Sequence, residues 1–428
     1  MIEEIKEFVR SIRAKYEGIP RFIPNLKNVV YYATPYYNEE EIFAVIESIM
    51  FGNWISSGEK VNKFENEFSN KFNHKSSLMV NSGSSANLLM IAALKKYFSW
   101  IDNDEIILSV VGYPTTLSSL MVNNLKPVFI DIEFDTLNFD VEQIESKITN
   151  KTRGIFISPA LGNPPDFDAL TYLSKKYNIT LILDNCDSLG SKWRDKYLTD
   201  YAISSTCSFY PPHHISTGEG GMISSDNNEI IRIARSMSSW GRACECVGIE
   251  NFTPNGKCGK RFSKWLSEQD LILDHKYIYD NIGYNFKPLD LQGAIGLVQL
   301  EKFDEMFKKR IENKNKIQKI LENNLGENIK IVDEKNNATT SWFGIPIICN
   351  QKEYKTKLVK YLESNRVQTR NYFSGNILLH PAYKHLDNWK LYPYANKVLE
   401  KVFFLGCSPS YNEDTFDYLN EVIKKYNG

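Results

Sequence analysis

No stretch of this sequence approaches the roughly 20 consecutive apolar residues that a membrane helix needs, so no membrane-spanning role is expected. Charge of one sign is lacking as well: Lys and Arg number 51 against 52 Asp and Glu, a net charge of −1 over 428 residues. A protein that grips nucleic acid does so by neutralising phosphates, and this balance leaves no surplus of cations for that purpose. The opening residues, MIEEIKEFVRSIRAKYEG, mix both charge signs where a secretion signal would be basic and then apolar, which points to the cytoplasm. Repeats, low-complexity segments and Pro- or Gly-rich linkers are absent. Cysteine is sparse at 7 residues. A reducing compartment argues against a disulfide framework, which leaves buried thiols, a nucleophile or metal ligands.

What remains is a globular composition, with 42% hydrophobic, 13% aromatic and 24% charged residues, enough to bury large cores and to exclude disorder. Residues 1–30 predict an N-terminal helical extension, and PYYNEEEIFAVIESIM and VNKFENEFSNKF predict two further helices at 3.6-residue periodicity. Short β-rich segments then alternate with helical stretches: SLMV at 77, EIILSVV at 105, PVFID at 127, GIFISP at 154, ITLILD at 179, AISSTCS at 202 and GMISS at 221. Seven such strands predict an α/β domain with a mostly parallel sheet, in which ligands sit beyond the carboxyl ends of the strands. This large domain is expected over 31–305, with a cysteine-rich loop at 242–262. Apolar Leu291, Ile295, Val298, Phe303, Phe307, Ile311, Ile317 and Leu321 predict one long amphipathic helix over 290–325, leading into a smaller C-terminal α+β domain at 306–428.

Four segments could carry chemistry. Asn81-Ser82-Gly83-Ser84-Ser85-Ala86-Asn87 follows a strand and opens a helix, which aims backbone N–H groups and hydroxyls at one spot, as a phosphate cradle does; an ordinary serine N-cap with a glycine turn reads the same way. Asp184 ends the strand ITLILD, placed to meet a ligand, and could equally cap the next helix. Ser208-Phe209-Tyr210-Pro211-Pro212-His213-His214 precedes a glycine-rich loop, and imidazoles there suit general-base work or a purely structural role. Cys244-Glu245-Cys246, Cys258 and Cys186 are separated thiols of the kind that select zinc or iron–sulfur clusters when gathered, whereas Cys207, Cys349 and Cys407 fit small buried hydrophobes.

Together SGSSAN, LDNCD, SFYPPHHISTGEGG and DHKYIYDNIGYNFKPLDLQGAIGLVQL resemble the sugar-aminotransferase-like family (DegT/DnrJ/EryC1/StrS) of fold type I pyridoxal-phosphate proteins, and within it the branch that deoxygenates sugars. The resemblance runs from GNWISSGEKVNKFENEF to SWFGIPI and TRNYFSGN. It implies an aspartate aminotransferase-like fold and a homodimer. Where the family's aminotransferases carry the cofactor lysine this sequence has His213, and imidazole cannot form that tether. The resemblance therefore implies pyridoxamine phosphate held non-covalently, with His213 as the base that helps expel the 3-hydroxyl of a nucleotide-linked 4-keto-6-deoxy sugar. It further implies Gly83, Ser84, Ser85 and Ser208 on the cofactor phosphate, Tyr113 stacked on its ring, Asp184 on the ring nitrogen and Asp187 near the ring's 3-hydroxyl side. Asn285 would reach the neighbouring subunit's phosphate, and Asn163, His214 and Asn376 are weaker substrate-side candidates. Cys186, Cys244, Cys246 and Cys258 match the ligands of a [2Fe–2S] cluster, though the last gap is longer than in the family pattern, and a ferredoxin-type flavin reductase would supply electrons. A cluster-free dehydratase, an aminotransferase using another lysine, and a zinc-stabilised pseudo-enzyme are the alternatives.

Overall fold

The structure, a computed structural model, describes residues 2–15, 28–52, 54–244, 246 and 257–427. The expected cysteine-rich loop at 242–262 therefore falls partly outside the described residues. All seven anticipated strands form and join one sheet, in the spatial order Ser76–Val80, Gly221–Ser225, Ser204–Ser208, Thr180–Asp184, Thr152–Ile157, Glu105–Ser109 and Lys126–Ile130. From Ser204–Ser208 to Lys126–Ile130 every pairing is parallel. Gly221–Ser225 runs antiparallel to both of its neighbours. The carboxyl ends Ser109, Ile157, Asp184 and Ser208 thus open toward one edge of the sheet.

Apolar strands such as Thr180–Asp184 are buried because helices cover both faces, as a parallel sheet requires. Gly83–Tyr97 packs Ala86, Leu89, Met90, Ile91, Ala93 and Leu94 onto one face, and Phe167–Tyr177 packs Phe167, Leu170 and Leu173 onto the other cluster of core residues. The two serine-rich strands are also fully buried. Their hydroxyls are satisfied within the sheet: Ser77 and Ser224 Oγ lie 2.8 Å apart, Ser204 Oγ donates to Ser224 O at 2.9 Å and Ser225 Oγ to Ile203 O at 2.7 Å. Burial of polar side chains costs little once they are paired in this way.

A four-stranded antiparallel sheet, ordered Ile329–Ile331, Gly344–Cys349, Val402–Gly406 and Arg370–Asn371, forms the smaller unit. Helices Lys352–Ser364 and Glu413–Lys424 close its core over Ile345, Ile347, Phe403 and Leu405. Cys207, Cys349 and Cys407 are at most 3% exposed, as small buried hydrophobes are.

Two boundaries differ from expectation. The segment after residue 28 belongs with the smaller sheet: Val30 bridges Val367 in parallel, its side chain lies in that core, and Ser408 Oγ donates to Thr34 O at 3.1 Å. Sequence order had assigned residue 31 onward to the large domain, but a segment only a few residues long carries no periodicity that names its partner sheet. The helix expected over 290–325 is two, Asp290–Glu301 and Phe303–Leu325. Lys302 is a turn residue between them at φ −83° and ψ −6°, and its Nζ lies 2.9 Å from Glu41 Oε1 and 2.8 Å from Glu40 Oε2. An apolar stripe persists through such a joint, so the break is invisible to periodicity.

Candidate active site

Asp184 is 4% exposed, and its carboxylate is held from three directions. Asn87 Nδ2 and Thr116 Oγ1 donate to Oδ2 at 2.7 and 2.6 Å, and the Cys186 N–H donates to Oδ1 at 3.2 Å. Thr206 Oγ1 in turn donates to Asn87 Oδ1 at 2.6 Å, which fixes the amide's orientation. The carboxylate does not cap a helix in place of this network. Asn87, within SGSSAN, and Thr116, three residues after Tyr113, have no role that the sequence alone assigns. The spacing carried a usable signal, because Asn87 stands one helical turn after Gly83 and so faces the same side.

The start of the helix Gly83–Tyr97 lies directly against the turn after Ser208. A Cβ on Gly83 would sit 2.5 Å from Ser208 Cβ, closer than any side chain tolerates, so the glycine is what lets the helix N-terminus approach. Ser82 supplies the N-cap, its Oγ accepting from the Ser85 N–H at 3.1 Å. The N-cap is therefore formed. One serine closes the turn, while the first N–H groups beside Ser208 remain aimed outward with the positive end of the helix dipole.

His213 follows in the turn, with Nδ1 3.6 Å from Asp187 Oδ1 and its ring 5.1 Å from that of Phe343. Burial, and next the nearby Arg310 guanidinium, push its imidazole down to about 3, so the ring is neutral near pH 7. Asp187 moves the other way: burial first and the Asp184 charge second push its carboxyl up to about 7. Opposite shifts in adjacent groups are the arrangement that separates proton acceptor from proton holder. Tyr113, 57% exposed, is the N-cap of the helix Pro114–Val122, whose Thr116 reaches Asp184.

The weaker candidates separate. His214 is 3% exposed and turned inward, its Nε2 2.7 Å from Ser341 O. Its Nδ1 is buried without a hydrogen-bond partner, and its Nε2 bond joins this turn to the segment that leads into Gly344–Cys349. Asn376 is fully buried and spends its side chain on protein, accepting from Leu378 N at 3.0 Å and donating to Trp389 O and Asn396 Oδ1 at 3.2 and 2.8 Å. It is a turn residue. Asn163 is buried with Oδ1 unpartnered, which keeps it available to a ligand.

The cysteine set is not gathered. None of the seven cysteines forms a disulfide, and among the described residues no three His, Cys, Asp or Glu side chains converge as a metal site would require. Cys186 sits beside Asp184 and Asp187, and burial, then the Asp184 charge, hold its thiol well above its usual range. Cys244 and Cys246 line a separate cleft of about 680 Å³ with Trp240, Arg242, Asn285 and Lys287. Cys258 lies 3.8 Å from His275 Nε2. Asn285 is likewise apart from the Gly83–His213 pocket of its own chain.

A parallel sheet whose central strand ends in a netted Asp184, a glycine-tight helix start and a turn bearing a potential base define the aspartate aminotransferase-like, fold type I architecture. The chain belongs to the DegT/DnrJ/EryC1/StrS aminotransferase family, whose profile matches residues 36–424. It is 34% identical over 398 residues to the dTDP-4-dehydro-2,6-dideoxy-D-glucose 3-dehydratase of Saccharopolyspora spinosa, covering 91% of this chain and 84% of that one. It is 32% identical to the lipopolysaccharide biosynthesis protein RfbH of Salmonella typhimurium, covering 91% and 90%. Among solved structures, the E. coli GDP-4-keto-6-deoxy-D-mannose-3-dehydratase with bound hydrated PLP superposes with a TM-score of 0.81 at 28% identity, over 94% of this chain and 100% of that one.

Proposed function

We propose that this protein holds pyridoxamine phosphate without a covalent tether and removes the C3 hydroxyl of a nucleotide-linked 4-keto-6-deoxyhexose. The observation that carries the reading is His213, partly buried and neutral beside Asp187 in the turn that the Gly83 helix start abuts. The relatives named as 3-dehydratases support the reaction class.

The pocket fits the cofactor. The Gly83 approach leaves a cradle for a phosphate, and Gly83, Ser84, Ser85 and Ser208 would bind it through backbone N–H groups and hydroxyls. Asp184, already oriented by Asn87 and Thr116, would hold a proton on the ring nitrogen, and Tyr113 would cover the ring face. When bound, pyridoxamine phosphate supplies a primary amine for the sugar ketone and a ring that accepts electrons. His213, in its neutral form, would take the proton released from the cofactor's amine-bearing carbon as the hydroxyl departs, with Asp187 Oδ1 3.6 Å from its Nδ1. Asn285, exposed and outside this pocket, suits a contact to a second copy of the chain in a homodimer.

The finer assignment is a CDP-6-deoxy-L-threo-D-glycero-4-hexulose-3-dehydrase with a [2Fe–2S] cluster and a ferredoxin-type flavin reductase. Its support is the spacing of Cys186, Cys244, Cys246 and Cys258. Among the described residues the thiols do not converge as a cluster would require, and that geometry favours a second reading, a cluster-free 3-dehydratase. Incubation with CDP-, GDP- and dTDP-linked 4-keto-6-deoxyhexoses and pyridoxamine phosphate, with and without a reductase, separates the two. Mass analysis should show loss of the C3 oxygen. A product that keeps every oxygen, or gains an amine in its place at C4, sinks both.

A further inference from the structure

Arg310, on the helix Phe303–Leu325, is 3% exposed, and its guanidinium is met by carbonyl oxygens from two distant segments and by the Cys407 side chain, with no carboxylate in ion-pair contact among the described residues. Nη2 donates to Pro212 O at 3.2 Å and His213 O at 3.1 Å; Nη1 donates to Trp342 O at 3.3 Å and Phe343 O at 3.4 Å. Its Nε is buried and unpartnered. A buried cation without a carboxylate is a poor stabiliser, and an apolar side chain of similar volume commonly serves stability better. What a guanidinium offers instead is a planar fork of donors in fixed geometry. Here one arm of the fork holds the turn that carries His213, and the other holds the entry to the strand Gly344–Cys349. The two arms converge on one side chain: Phe343, whose carbonyl Arg310 binds, is the residue whose ring packs 5.1 Å from the His213 imidazole. His214 ties the same two segments once more through Ser341 O.

We propose that Arg310 is a positioning residue: it sets where side chain 213 points by clamping its backbone, and by fixing the aromatic ring against which it rests. This rests on the reading that position 213 faces the cofactor. Without the fork, the turn between Ser208 and Gly221 keeps its other bonds, such as Phe209 N to Gly220 O at 2.9 Å, so the pocket persists while the base loses its registration.

The test uses the full chain and a readout independent of turnover. His213→Lys places a primary amine at the position, and its covalent attachment to added pyridoxal phosphate, fixed with borohydride and counted by mass spectrometry, reports where the side chain points. Combining Arg310→Met with His213→Lys should slow attachment roughly tenfold or more, the scale on which a misplacement of about an ångström acts. Arg310→Met alone should bind pyridoxal phosphate non-covalently much as wild type does. Arg310→Lys, which keeps the charge but replaces the fork with a point donor, should fall between, and it decides the matter if the methionine variant does not fold. Attachment at the rate of His213→Lys alone in either double variant overturns the proposal. Failure of His213→Lys itself to attach the cofactor shows instead that position 213 does not face it, and the reading on which the proposal stands falls with it.

Discussion

The pocket around Asp184 and the cleft around Cys244 and Cys246 carry chemistry-bearing residues of equal density, yet only the first is complete within one chain. In the pocket the carboxylate and the helix start have partners that aim them: Asn87 and Thr116 on Asp184, Thr206 on Asn87, Ser82 on the helix start. In the cleft Cys244 and Cys246 share the lining with Arg242 and Lys287, while their proposed fellow ligand Cys186 lies beside Asp184. Preorganisation therefore marks a site that can act alone, and its lack marks one that needs an ion, a rearrangement or another chain to act.

The largest effect that could break this contrast is at His213. His213→Asn should lower dehydration by about 10²–10⁴-fold, the contribution of a general base, while pyridoxamine phosphate still binds by fluorescence titration. Turnover equal to wild type would leave the pocket without its base and remove the contrast altogether. Next is Gly83→Ala. Its Cβ would stand 2.5 Å from Ser208 Cβ, so the helix start must back away. Such overpacking costs roughly 1–3 kcal/mol, read as a lower urea midpoint together with weakened cofactor binding. Loss of stability without any change in affinity would place the phosphate elsewhere.

Acid should separate the regions as well. Burial, and then Arg310, hold the His214 imidazole well below its ordinary value of 6.5. The unfolded chain therefore binds the proton first. The stability this group contributes is complete above pH 6.5 and is lost as pH falls below it, by about 1.4 kcal/mol per pH unit. Urea unfolding at pH 5.0 and 7.5 should show a smaller difference for His214→Asn than for wild type. An equal difference would mean that this imidazole is already protonated in the fold.

The legibility of the sequence follows the same division. The strand Thr180–Asp184 and its carboxylate were readable because apolar periodicity and a terminal acid are local signals. Gly83 was readable as a cradle, but its reason, the side chain of Ser208, is a contact between residues far apart in sequence. His213 and His214 are adjacent and chemically identical, and nothing local says that one meets Asp187 while the other meets Ser341 O. Arg310 carried no signal at all, since on a helix with many exposed lysines it looks like one more solvated charge. Spacing among the cysteines suggested a shared ligand, yet spacing does not encode which loops meet.

The smallest expected effect is therefore the most informative about the cleft. If Cys244 and Cys246 do no structural work in the isolated chain, Cys244→Ala with Cys246→Ala should change the urea midpoint by no more than about 0.5 kcal/mol, as substitutions away from tight packing do, and leave pyridoxamine phosphate affinity unaltered. Iron and acid-labile sulfide measured on protein purified without oxygen then split the remaining possibilities. About two of each per chain in wild type, lost in the double variant, would show that the cleft is completed by a cluster that draws Cys186 or its counterpart to it. Zinc without sulfide would make the thiols a structural site. With neither metal, both regions of the molecule serve the same dehydration, the pocket by its chemistry and the cleft as a surface that carries Asn285 to another copy of the chain.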